Sequence, residues 1–188
     1  LKLTQKGFKV ETITDVQVTA NTVTRIDRQM QVGSLAEQIT VEASAAELQT
    51  DKADTHTELN STEVANLPLP GYRNYQSLMN LVPGATPAAT QNSATDTPGR
   101  SLTTNVNGTN RNNNMTRIDG ASSVNLWLPH HAGYVMPAEM VDTVNITTSA
   151  GDAEQGAAGG AAIAVITKSG TNNFHGSLFE YHDNQHLK

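Results

Sequence analysis

"GAAGGAAIAVITKSGTNNFHGSLFEY", residues 156–181, decides how this sequence folds. Small residues interrupted by glycine give way to an apolar run, a Lys168-Ser169-Gly170-Thr171-Asn172 turn and a second alternating segment. At period two, Ile163 and Val165 fall on one face, and Ala162, Ala164 and Ile166 on the other. A strand apolar on both faces belongs in the middle of a sheet, so 162–167 is expected to be central. In the second segment Leu178 opposes Phe179 and Tyr181, the pattern of a strand with one apolar side. That pattern has barely begun when the sequence ends at Lys188, so the sequence reads as a piece of a longer chain.

Ahead of this stretch, "AEMVDTVNITTS" supplies a helical turn and a strand with Val144 and Ile146 facing inward. "TTNVNGTNRNNNMTRIDG" (103–120) reads as two short strands around an Asn-rich turn. A first helix is signalled by Asn60 or Ser61 as cap, with Glu63 in its first turn and Pro68 as its stop. A second follows in "YRNYQSLMNLVPG", where Tyr75, Leu78, Met79 and Val82 share a face and Pro83-Gly84 terminates. Residues 7–33 read as strands, with Ile26, Met30 and Val32 on one face and Arg25, Asp27, Gln29 and Gln31 on the other. In 34–44, Ile39, Val41 and Ala43 alternate with Thr40 and Glu42. The loops 85–101, 107–114 and 121–137 are longer than a compact domain ordinarily tolerates, which points to function. The fold class is therefore α+β: a small mixed sheet with short helices and long loops, preceded by strands of an incomplete β-sandwich.

Composition narrows the chemistry. The 188 residues carry 12 Lys and Arg against 18 Asp and Glu, a net charge of −6, with no basic run to line a nucleic-acid groove. Cysteine is absent, which removes disulfides, thiolate zinc sites and thiol catalysis. No apolar run approaches the roughly 18 residues of a membrane-spanning helix. His130-His131 is a poor chelating pair with no carboxylate at ligand spacing, so no metal site is expected. Ser122, Ser123 and Ser169 lack the setting of a nucleophile elbow. "GTNRNNN" lacks the glycine spacing and following helix of a phosphate loop. The asparagines serve equally well as a turn, because Asn tolerates left-handed backbone angles. No enzyme and no cofactor is expected.

The order of motifs resembles the plug domain of TonB-dependent outer-membrane receptors. "STEVANLPLPGYRNYQSLMNLVPGATP" resembles the family's two helices and Pro-Gly segment, and "NVNGTNRNNNMTRIDGAS" its strand, Asn/Gly-rich turn and strand ending in Asp-Gly. "MVDTVNITTSAGDAEQGAAGGAAIAVITKSGTN" resembles the most specific signature, with Gly-Gly and a last strand ending in Thr-Lys. The plug signature then falls on Asp119, Gly120, Gly159, Gly160, Thr167 and Lys168. "FHGSLFEY" looks like the first strand of the transmembrane barrel. The Oar-like group is most similar: there the plug follows a carboxypeptidase-regulatory-like β-sandwich, whose last strands "GFKVETITDVQVTANTVTRIDRQMQVGSLAEQITVEA" resembles. One position departs. Asn107-Gly108 stands where the usual plug has Arg-Gly, so an arginine contact does not carry over there.

The resemblance implies four segments: the end of the sandwich (1–35), a connector (36–54), the plug (55–172) and the start of the first barrel strand (173–188). It implies the gate of an energy-coupled importer of a scarce nutrient, such as a siderophore, oligosaccharide or peptide, in the bacterial outer membrane. The plug would sit inside its own barrel of about 22 strands, with the N-terminal part periplasmic. The periplasmic domain of TonB would add as a strand to a short extended segment. Glu37, Gln38, Ile39, Thr40, Val41, Glu42 and Ala43 resemble that TonB box, with an ordinary edge strand as the competing reading. "ETIT" (11–14) is similar too, but should already be paired. The outward loops would supply ligand contacts from Arg100, Asn110, Arg111, Asn112, Trp127, His130, His131 and Tyr134. Trp127 has a second reading, as an anchor against the barrel wall. A rival of another class is a secreted adhesin or carbohydrate-binding module, distinguished by whether about twenty alternating segments follow residue 188.

Overall fold

The computed structural model describes residues 1–14, 16, 24–33, 38–42, 53–69, 73–90 and 101–180. The chain divides into two compact units between Ala53 and Asp54. The first holds a three-stranded sheet of β1 (Lys2–Leu3), β2 (Val10–Thr14) and β3 (Gln38–Glu42), in that order. β1 runs antiparallel to β2, whereas β3 runs parallel to it, with Val10 opposite Gln38 and Thr14 opposite Glu42. Val10 and Ile13 are buried.

The expected strand over 24–33 is corrected here. Those residues carry only an isolated bridge, Phe8 to Val32, and Val32 is 80% exposed. Alternation stabilises a strand only where a neighbour pairs with it and a face is covered. Ile26 and Met30 are only partly buried.

The second unit is a mixed sheet of five strands. They are β4 (Thr55–Leu59), β7 (Met115–Ile118), β8 (Ala121–Ser122), β9 (Val141–Ser149) and β10 (Ala162–Thr167), and a side ribbon pairs β5 (Ala89–Thr90) with β6 (Leu102–Thr103). The spatial order is β4-β9-β10-β7-β8. β10 is antiparallel to β9 and parallel to β7, so the strand apolar on both faces is the central one. Val144, Ile146, Ile163 and Val165 cover one side of the core.

Two helical segments close it. In α1 (Ser61–Asn66), the Asn60 side chain accepts from the amides of Thr62 and Glu63, and the Glu63 carboxylate accepts from Asn60 N at 2.9 Å. This capping box satisfies helix donors that have no partner within the helix. Residues Tyr75–Leu81 form a 3-10 helix rather than an α-helix, with Asn74 as its cap. Three residues per turn stack Tyr75 on Leu78 and Met79 on Val82, and all four are buried. Each such side chain contributes roughly 1.5–3 kcal/mol by leaving water.

The Arg73 side chain, 12% exposed, ties these pieces together. Its Nε donates to Glu139 at 2.7 Å, and its other nitrogens donate to the carbonyls of Val64, Ala65 and Leu67 at the end of α1. Residues 173–180 carry no strand. Among the described residues no helix is long and apolar enough to cross a membrane.

Candidate functional site: three loops joined over the sheet

The Asn-rich segment is a set of local locks. Asn107 and Gly108 take φ of +52° and +73°, and the Thr109 amide donates to Val106 O at 2.9 Å, making a type I′ turn. Asn110 caps the 3-10 turn Arg111–Asn113 through Asn112 N. Asn107 Nδ2 donates to Thr148 O at 3.0 Å, where an arginine was not expected to reach. Asn114 joins the residue after β6 to the residue before β10, donating to Thr104 O and accepting from Ala161 N.

The Gly-Gly pair belongs to the same lock. The amides of Gly159 and Gly160 both donate to Asn113 O at 3.0 Å. A Cβ on Gly160 would strike Asn114 Oδ1 and come within 2.6 Å of Thr109 Oγ1, so only glycine permits this approach. Asp119 and Gly120, with φ of +48° and +82°, form the two-residue turn between β7 and β8. The Asp119 carboxylate accepts from Thr167 N at 2.9 Å and from Thr167 Oγ1 at 2.7 Å, and Lys168 N donates to Met140 O. The six residues singled out in the sequence therefore fall into two locks, Gly159 and Gly160 beside Asn113 at the start of β7 and β10, and Asp119, Gly120, Thr167 and Lys168 at the far ends of those strands.

Those two bonds from Thr167, the backbone one foremost, hold the Asp119 carboxyl below its ordinary range. A depressed folded-state value stabilises the fold above the unfolded-state value of about 3.9 and is lost as pH falls through the lower one. Asp119→Asn keeps the left-handed turn but removes the charge. It should lower the melting temperature at pH 7, and that gap should close as the pH falls below about 4. A gap independent of pH would show that the charge contributes nothing.

The loops themselves are brought together. Ser101 Oγ accepts from Ala132 N at 2.9 Å, joining loop 85–101 to loop 121–137. His130 Nδ1 and Asn112 Oδ1, 2.7 Å apart, join the latter to loop 107–114. Burial first, then the charges of His131 and Arg111, hold the His130 pKa below its ordinary value, so its ring is neutral near pH 7 and donates from Nδ1. The two imidazoles lie 4.4 Å apart between centroids.

Loop 121–137 is built as a hairpin. Asn125 Oδ1 accepts from the amides of Trp127 and Leu128, Asn125 N donates to His131 O, and Val124 bridges Ala132. Trp127 is 92% exposed at its tip, and Tyr134, 58% exposed, is fixed at the base by Ser123 Oγ. Of the anticipated contact residues, Asn112 and His130 meet, Arg111 acts on His130 through its charge, and Asn110 is occupied as a cap. Arg100, with 91–99, lies outside the described residues, as do Glu37 and Ala43 of the candidate TonB box. Ser101 and Asn125 were not singled out in the sequence, and Ser123 was weighed there only as a nucleophile; of the three only Asn125, two residues before the tip, carries a local turn signal.

The arrangement offers an exposed indole and phenol, amides, a neutral imidazole and one guanidinium. That set stacks and hydrogen-bonds. No group of three potential metal ligands occurs among the described residues.

No protein-family model and no curated protein matches the chain. Among solved structures it is similar to the outer membrane transporter YddB from Escherichia coli, at TM-score 0.52 and 20% identity, over 61% of this chain and 17% of that one. It also matches the siderophore receptor PirA from Acinetobacter baumannii (0.44, 23% identity, 62% and 18% covered) and the ferric enterobactin receptor PfeA from Pseudomonas aeruginosa (0.45, 18% identity, 60% and 17% covered). Only the first of the three exceeds a TM-score of 0.5. Over 61% of its length, the chain has the fold of a segment of an outer-membrane transporter.

Proposed function

We propose that residues 55–172 are the plug of an outer-membrane receptor of the TonB-dependent kind, gating the import of a scarce nutrient. The observation that carries this reading is the joining of three polar loops by the Ser101–Ala132 and Asn112–His130 contacts, on a sheet whose fold is that of a transporter segment. In this reading the joined loops are the floor of the ligand site, and Trp127 and Tyr134 are its stacking surfaces. Residues 173–188 begin the barrel wall, residues 1–35 close a carboxypeptidase-regulatory-like sandwich, and residues 37–43, which include β3, are the TonB box. The nutrient is a siderophore, an oligosaccharide or a peptide. The protein works without catalysis or cofactor, in the bacterial outer membrane.

Trp127→Ala tests the floor. In the full-length receptor it should weaken binding by roughly 2- to 10-fold, the worth of one aromatic contact. Assaying a panel of ferric siderophores, oligosaccharides and peptides would reveal which class is affected. The amount of folded receptor in the membrane should not change, because the indole is 92% exposed in this chain. Less folded receptor with affinity spared would make Trp127 a wall anchor and end the site assignment.

A further inference from the structure

Beneath the joined loops lies a cavity of ≈ 30 Å³, walled by Tyr75, Gln76 and Met79 of the 3-10 helix, by Thr104 and Thr116, and by residues 129–132. Tyr75 is 1% exposed, and its buried hydroxyl has no hydrogen-bond partner among the described residues. Burial pushes the phenol well above its ordinary pKa, so the hydroxyl stays neutral and keeps both its proton and its lone pairs. Buried polar atoms in native proteins are nearly always partnered by protein or ordered water.

The wall supplies further polar atoms. Gln76 Oε1 accepts from Leu102 N at 2.7 Å and retains a second lone pair. Thr104 Oγ1 donates to Thr86 O at 2.6 Å, and of its two lone pairs at most one is taken by the Thr86 hydroxyl at 3.4 Å. A buried water needs about 10–15 Å³ of such space and two to four polar partners. The cavity has the space, and Tyr75, Gln76 and Thr104 all line it.

We propose that this cavity is a hydration site, in which one ordered water bridges the Tyr75 hydroxyl to the polar wall formed by Gln76 and Thr104. The water links the 3-10 helix to the ribbon strand β6 and its extension, directly under residues 129–132. The inference stands whether or not the chain is a receptor plug.

Tyr75→Phe in the 188-residue chain, which removes one oxygen and little else, tests it. Losing a water-bridged hydroxyl should lower the melting temperature by about 2–4 °C for a chain of this size. A hydroxyl with no partner would give the opposite sign, because its removal relieves a desolvation cost. A high-resolution crystal structure of the unsubstituted chain should show water density within hydrogen-bond distance of Tyr75 Oη. The proposal holds only if both results appear. A melting temperature unchanged or raised, or a well-ordered map without that water, overturns it.

Discussion

Arg73→Ala is expected to lower the stability of the second unit by about 2–3 kcal/mol, or roughly 5–10 °C in melting temperature. The guanidinium and the Glu139 carboxylate are only 12% and 17% exposed, so neither is well solvated if its partner goes. Removing one member of such a pair leaves a charge without compensation, which costs more than the pair itself contributes. Arg73 also donates to the carbonyls of Val64 and Ala65, which lie in the last turn of α1 and have no partner further along the helix. A cation there also opposes the negative end of the helix dipole.

The order of effects makes the test sharp. Glu139→Ala removes the ion pair alone, whereas Arg73→Ala removes the pair and the helix cap, so the arginine change should cost more. Arg73→Lys should recover little, because an ammonium cannot reach both the carboxylate and the diverging carbonyls in the fork geometry. Thermal denaturation of the three variants decides it. Equal losses from Arg73→Ala and Glu139→Ala would mean that the carbonyl contacts contribute nothing measurable.

The sequence foretells neither this clamp nor the cavity under residues 129–132, and the reason is distance along the chain. Arg73 and Glu139 lie 66 residues apart, and nothing in the flanking pattern marks them as partners. The features legible in advance act over a few residues. The Asn60–Glu63 capping box lies within one helical turn. The two-sided apolar alternation of 162–167 needs only period two, and it placed β10 at the centre of the sheet. Val144 and Ile146 follow from the same period. Where period two failed, at 24–33, the alternation was present but the strand had only a single bridge to Phe8. The Asn-rich segment was legible as a turn. That Asn114 joins Thr104 to Ala161 was not, because its partners lie 10 and 47 residues away. Likewise, Ser101, which joins loop 85–101 to Ala132 across 31 residues, carries no signal that separates it from other loop serines.

The largest functional effect is expected in the first unit. If β3 is the TonB box, Ile39→Pro or Val41→Pro in the full-length receptor should abolish capture by the periplasmic domain of TonB, while Glu42→Ala should leave it within about twofold. Strand addition rests on main-chain hydrogen bonds and uses side chains lightly, so a lost amide matters more than a lost carboxylate. The sheet order leaves β3 at one edge, paired with β2 on its other side. Among the described residues no strand pairs with the other edge of β3, which is where an incoming strand would extend the ladder. Backbone groups of successive residues point to opposite sides of a strand. Proline at Thr40 thus removes an amide on the side opposite to that of Ile39 and Val41. Of the two sets, the one facing β2 should also lower the melting temperature. The set facing the open edge should cut capture at unchanged stability, and that separation distinguishes docking from simple unfolding. Equal loss from Val41→Pro and Glu42→Ala, or none from either, would return β3 to an ordinary edge strand and place the TonB contact elsewhere in the chain.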